Sequence, residues 1–134
     1  MRYLLDTNTC IDVMRNHPHV VKRLSAQHPD DCAISSITGF ELHTGVAKCA
    51  SPQKEKAKVD RLLKTVHELA FDSRAALESA TIRANLESQG YAIGPYNILL
   101  AGHACAAGLV LVSANTAEFS RVPGLRLENW QTFP

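Results

Sequence analysis

Short apolar runs alternate along this chain with stretches whose apolar residues recur every three or four positions. That alternation predicts strands buried in a parallel sheet, separated by amphipathic helices that cover it. Five strands are expected, over residues 3 to 6, 32 to 35, 67 to 71, 109 to 114 and 125 to 128. Between the first two, Pro18 to Gln27 places Val20, Val21 and Leu24 at helical spacing. Ser51-Pro52 has the form of a helix cap followed by proline at the first helical position, with Val59, Leu62, Leu63 and Val66 as the buried stripe. Ser73 is placed to cap a long helix ending at Gly90, and Ala76, Ala80 and Ala84 offer a small-residue face suited to close packing. Gly94-Pro95 opens a further helix, which Gly108 closes. The order describes one α/β sandwich.

A length of 134 residues suits one domain, expected over residues 1–134, and lets the chain bury about two-thirds of its unfolded surface. Hydrophobic residues at 46% and charged residues at 20% are ordinary globular values, so folding needs neither disulfides nor a structural metal. A net charge of +1 gives no global signature and leaves any nucleic-acid contact to a local patch. Residues 48–64 hold Lys48, Lys54, Lys56, Lys58, Arg61 and Lys64 against Glu55 and Asp60. Such a run is ordinarily a solvated helix face, and becomes a phosphate guide only where chemistry elsewhere points to nucleic acid. Asp6 interrupts the apolar start that a signal peptide requires, and no membrane-length apolar stretch follows, so a cytoplasmic protein is expected. Cys10, Cys32, Cys49 and Cys105 form no C-x-x-C pair and are expected as reduced, mostly buried thiols.

Ligands of a parallel sheet bind beyond the carboxyl ends of its strands, so polar residues there carry the candidate chemistry. The first strand runs into Asp6-Thr7-Asn8-Thr9, where Asp6 either faces the crevice or caps the next helix. The second leads to Ser35-Ser36-Ile37-Thr38-Gly39-Phe40-Glu41, and Glu41 either faces the crevice or, three residues after Thr38, completes a capping box. Asn97 falls in the first turn after Gly94-Pro95, and the fourth strand ends at Ser113-Ala114-Asn115 with Glu118 a turn further on. Singly, each is an ordinary cap or turn. Together Asp6, Glu41, Asn97, Asn115 and Glu118 gather oxygen atoms at one end of the sheet, the donor set of a hard divalent cation. Such a cation activates water and neutralises charge on a phosphodiester.

Several blocks now stand in a telling order: Leu4-Leu5-Asp6-Thr7-Asn8; Ile34-Ser35-Ser36-Ile37-Thr38 with Phe40-Glu41-Leu42 and Gly45; Ile93-Gly94-Pro95-Tyr96-Asn97; Ala101-Gly102-His103-Ala104; and Asn115 with Glu118-Phe119. They resemble the PIN-domain ribonucleases, and within them the VapC toxins of bacterial toxin-antitoxin pairs. Gly94-Pro95-Tyr96 and the closing Arg121-Val122-Pro123-Gly124-Leu125 with Trp130 are most similar to the branch that cleaves initiator tRNA in the anticodon stem-loop. The resemblance implies an α/β/α sandwich around a parallel five-stranded sheet of order 3-2-1-4-5. It also implies RNA cleavage dependent on Mg²⁺, with Mn²⁺ as a substitute, inhibition by a cognate VapB-type antitoxin, and homodimers that assemble further with it. Asp6 and residue 97 match the metal-binding positions, and Glu41 the acid acting through water or as proton acceptor. Asn115 matches a positioning residue and Glu118 an outer acid. Thr7, Asn8, Ser36 and Thr38 are expected to hold the carboxylates, and Lys54, Lys56 and Lys58 to guide the RNA backbone.

One position departs from the family pattern, because Asn97 stands where an aspartate is expected. An amide keeps the shape and one acceptor oxygen but loses the charge that draws in a cation. Weaker metal affinity and water activation are expected, with fold and RNA binding retained. Two accounts stay open: a deliberate replacement that silences a toxic nuclease, which the conservative geometry favours, and a natural site of reduced activity. Two other functions are also open. One is a catalytically silent RNA- or antitoxin-binding PIN module. The other is a haloacid-dehalogenase-type phosphatase, whose D-x-D-x-T motif Asn8 breaks.

Overall fold

The central strands are apolar at every position but Ser35, the last of β2, because both faces of the sheet are covered. The structure, a computed structural model, describes residues 1–132; residues 133 and 134, at the end of the expected domain, lie outside the described residues. Its elements are β1 (Tyr3–Leu5), α1 (Thr7–Met14), α2 (Pro18–Ser25), β2 (Cys32–Ser35), α3 (Ser36–Lys48), α4 (Pro52–Thr65), β3 (His67–Leu69), α5 (Ser73–Ser88), α6 (Pro95–Ala107), β4 (Val110–Val112), α7 (Thr116–Phe119) and β5 (Leu127–Glu128). The strands pair in parallel in the order β3-β2-β1-β4-β5. Leu4 enters one apolar layer while Tyr3 and Leu5 enter the other, as the two-residue period of a strand requires. On one face Cys10, Val20, Leu42, Val59 and Leu62 bring α1 to α4 onto the sheet. On the other, Ile82 and Leu86 of α5, Leu100, Ala101 and Ala104 of α6, and Phe119 complete the α/β/α sandwich. Each fully buried leucine or isoleucine stabilises this arrangement by about 1.5–3 kcal/mol relative to exposure.

The chain runs outward from β1 to β3, then returns to the other side of β1 for β4. The switch point therefore lies between β1 and β4, where a crevice opens beyond the carboxyl ends. Leu5 pairs with Val112, so Asp6 and Ser113 emerge side by side at that point.

Three local expectations are corrected. Ser73 does not cap α5: Asp72 does, its Oδ1 accepting the Ala75 N–H at 2.9 Å from an extended backbone. The alanine face Ala76, Ala80 and Ala84 is exposed, and the buried stripe is Ala75, Ser79, Ile82 and Leu86. Along that stripe α5 and α6 approach so closely that a Cβ on Gly102 would lie 1.9 Å from Ser79 Oγ and 2.6 Å from Ser79 Cα. The capping box at Thr38 and Glu41 does not form either, because α3 starts earlier with Ser35 as its cap, leaving Thr38 buried in the first turn. Pro52 and Pro95 open α4 and α6 as expected, and Gly108 ends α6 in the left-handed region at φ 68°. The last three strands are shorter than expected, with β3 ending at Leu69, β4 confined to Val110–Val112 and β5 to Leu127–Glu128, and α5 stops at Ser88, two residues before Gly90.

Candidate active site

Asp6 leaves β1 with its backbone N–H bonded to Val112 O at 3.0 Å, and its side chain caps α1 through Thr9 N–H at 2.8 Å. The cap alternative for this residue is thus realised, at the carboxyl end of β1. Asp6 is only 3% exposed. Burial pushes its pKa above the usual aspartate value, against the opposing bonds from the Ser113 hydroxyl and from Thr9. Next to it, Thr7 Oγ1 donates to Glu41 Oε1 at 2.7 Å and lies 3.2 Å from Thr38 Oγ1. A threonine hydroxyl carries one proton; with that proton committed to Glu41, the Thr38 hydroxyl supplies the other bond.

The opposite wall is organised around Glu118. Its Oε1 accepts the Gly94 N–H at 2.8 Å, and its Oε2 accepts the side-chain amides of Asn97, at 3.4 Å, and Asn115. The Asn115 amide first, then the Gly94 N–H and the Asn97 amide, hold the Glu118 carboxyl below the usual glutamate range. Asn115 begins α7 without a side-chain cap bond, which leaves its amide free for this task. Its own N–H bonds Ser113 Oγ at 3.0 Å. Ser113 therefore joins the two walls, touching Asp6 on one side and the Asn115 backbone on the other.

Four of the five expected residues thus lie along one set of contacts, Asp6 through Ser113 and Asn115 to Glu118 and Asn97, while Glu41 is bonded to Thr7, the residue that follows Asp6. Of the four expected carboxylate-holding residues, Thr7 bonds the Glu41 carboxylate directly, and Thr38 reaches it only through Thr7. Asn8 is exposed and bonds neither acid, since its position in the first turn of α1 turns it outward. Ser36 accepts the Phe71 N–H at 3.0 Å and so ties the end of β3 instead. Lys54, Lys56 and Lys58 are exposed on α4, where Lys56 pairs with Asp60 at 2.7 Å and Lys58 with Glu55 at 3.8 Å.

Sequence reasoning passed over Ser113, and also Ser35 and His103. Ser35 Oγ caps α3 through Ile37 N–H at 3.1 Å and lies 2.8 Å from His103 Nδ1 in α6. Burial, partly offset by Asp72, holds the His103 pKa below its usual value, which favours the neutral imidazole beside Ser35. A polar residue at the end of a buried strand was the available signal for both serines; nothing in the spacing marked His103 as a partner of Ser35.

None of the ion pairs among the described residues involves Asp6, Glu41 or Glu118. No three acids, imidazoles or thiols among those residues converge into a cation cage. The donors nonetheless fit a hard divalent cation: Mg²⁺ keeps several waters and needs only one or two carboxylates, and Asp6 is a buried acid without a cationic partner. An apolar groove of about 550 Å³, lined by Ala80, Leu86, Tyr91, Ile93 and Leu99 among others, contains none of the five site residues. No helix among the described residues is long and apolar enough to cross a membrane.

Fold and site together define the class, a parallel α/β/α protein with an acidic, oxygen-lined crevice at its switch point. The family model for the PIN domain matches residues 3–125. The chain is 40% identical over 131 residues, 97% of its length and 98% of the relative's, to the tRNA(fMet)-specific endonuclease VapC of Salmonella typhimurium. It is 37% identical, at the same coverage of both chains, to Ribonuclease VapC2 of Haemophilus influenzae. The DNA-bound VapBC crystal structure from Salmonella typhimurium superposes with a TM-score of 0.92 at 40% identity, covering 97% of this chain and 98% of that one. The chain belongs to the PIN-domain family and, within it, to the VapC ribonucleases. That assignment sets the phosphatase reading aside.

Proposed function

We propose that this chain is the toxin of a toxin-antitoxin pair, a cytoplasmic endoribonuclease that cuts tRNA, initiator tRNA first, and is held in check by a VapB-type antitoxin as a homodimer within a larger assembly. The observation that carries the reading is the pair Asp6 and Glu41, two acids at the switch point with hydroxyl and amide partners but no ion pair. Asp6, with the amide oxygen of Asn97, would hold Mg²⁺, or Mn²⁺ in its place. Such a cation supplies Lewis acidity and neutralises charge developing on the phosphodiester. Glu41, kept in place by the Thr7 hydroxyl, orients the attacking water and takes its proton. In-line attack breaks one P–O bond and leaves a 5′-phosphate and a 3′-hydroxyl. Glu118 and Asn115 fix the opposite wall. The α4 lysines guide the RNA backbone; their pairs with Glu55 and Asp60 are exposed and weak enough to exchange for phosphates.

One observation favours a second reading, a silent RNA- or antitoxin-binding module. The Asn97 amide donates to Glu118 instead of adding a fourth carboxylate to Asp6, Glu41 and Glu118. Cleavage of total tRNA by the chain and by its Asn97→Asp variant, with Mg²⁺, with Mn²⁺ and with chelator, separates the two. Metal-dependent cutting at one site by the variant, with little or none by the parent, establishes the nuclease with a weakened site. No cutting by either form, with partner binding intact, establishes the silent module.

A further inference from the structure

Phe40 and Tyr96 are exposed aromatic residues, at 53% and 43%, and they touch each other. Their ring centroids lie 5.7 Å apart with the planes inclined at 54°. Phe40 sits on α3 immediately before Glu41, and Tyr96 sits in the first turn of α6 immediately before Asn97. The contact therefore joins α3 and α6, the helices that carry Glu41 and Asn97, beside the candidate site. Tyr91, another exposed ring, differs in that the Arg121 guanidinium lies 4.9 Å from its centroid. No cation is recorded over Phe40 or Tyr96 among the described residues.

Exposed aromatic rings beside a polar crevice suit an occupant that is flat and uncharged. The neighbouring acids repel a phosphate unless a cation intervenes, whereas a nucleobase brings a neutral π face. Two rings inclined to each other form a corner, one face for stacking and one edge as a side wall. We propose that Phe40 and Tyr96 form a stacking subsite for one unpaired nucleobase of the RNA, next to the phosphodiester that is cut. This rests on the ribonuclease reading. It implies that the substrate is presented as a loop, because a base within a duplex has no free face.

The test is equilibrium binding in chelator, so that no turnover intrudes, of a fluorescent RNA hairpin with an open loop and of a fully paired duplex of the same length. Phe40→Ala and Tyr96→Ala are each expected to weaken hairpin binding about ten- to a hundredfold and to leave duplex binding unchanged, while Tyr96→Phe retains affinity. A 2-aminopurine in the loop should lose fluorescence on binding the parent and keep it with the alanine variants. Circular dichroism melting confirms that the variants fold; a Phe40→Leu substitution serves if alanine destabilises. Hairpin affinity unchanged in both alanine variants overturns the subsite. Unchanged hairpin affinity with lost binding of a VapB-type peptide overturns it as well, and assigns the rings to protein contact. Should the parent bind neither RNA and the Asn97→Asp variant cut none, the ribonuclease reading falls and takes the subsite with it.

Discussion

The two walls of the crevice hold their carboxylates in opposite ways. On the β1 and α3 wall, Asp6 is buried with its pKa pushed up, and Glu41 is met by the Thr7 hydroxyl. On the α6 and α7 wall, three N–H donors converge on Glu118 and hold its pKa down. One wall leaves negative charge for an external cation to balance; the other has already satisfied its acid with amides. Residue 97 belongs to the second wall, and its amide keeps the two walls different.

The most damaging change to the first wall is Asp6→Asn. In the Asn97→Asp background it is expected to lower tRNA cleavage by at least about a thousandfold, beyond the ten- to hundredfold typical of residues that only support a ligand. Its effect on stability has the opposite sign. A raised folded-state pKa means that the folded protein binds the Asp6 proton more tightly than the unfolded chain does. The contribution is favourable below the unfolded value of about 3.9 and is lost as pH rises through the folded pKa. Melting at pH 7 should therefore show Asp6→Asn above the parent, with the gap closing toward pH 4. A gap that does not narrow means that the Asp6 pKa is not raised in the folded protein.

Next in size is Asn97→Asp itself. Beyond restoring cleavage, expected to rise about a hundredfold or more, it sets a carboxylate against Glu118 where an N–H donor stood. The melting temperature of this variant should fall in chelator and recover with Mg²⁺, while that of the parent changes little. Equal melting with and without Mg²⁺ in the variant would remove the distinction between the walls. Thr7→Val should then cost about ten- to a hundredfold in cleavage by the Asn97→Asp form, because Glu41 loses the donor that orients it. Glu118→Gln is the mildest. A lowered pKa contributes stability that is present above the unfolded value of about 4.3 and lost as pH falls through the folded pKa. Denaturant titrations should therefore find the variant about 1 kcal/mol less stable at neutral pH and equal to the parent in acid.

The strands and the acid at the end of β1 were legible because a buried parallel strand is a continuous apolar run and a charge directly after it has few places to go. The sheet order came from family resemblance, since apolar runs carry no information about which neighbours pair. Helix faces were legible less well. The alanine stripe of α5 was assigned one residue away from the true seam at Ala75 and Ser79, because an all-small face scores as packable wherever it points. Ser113 escaped notice because its role depends on the pairing of Leu5 with Val112, which places it beside Asp6 across two strands far apart in sequence. The partner of Asn97 was equally hidden: its bond to Glu118 spans 21 residues and exists only once α6 and α7 are packed.

The contact between Gly102 and Ser79 acts as a spacer gauge for this second wall. Helix α6 is short and stiff, and Asn97 lies five residues, about 7.5 Å along the axis, from the point where it presses on α5. A single methyl group at position 102 would collide with the Ser79 backbone, so α6 would have to back away and carry its first turn with it. An alanine there, with no polar atom and no contact with RNA, would detune the distance from residue 97 to Glu118. How well the protein cuts would then be set partly by one missing carbon atom, buried between two helices on the far side from the acids of β1 and α3.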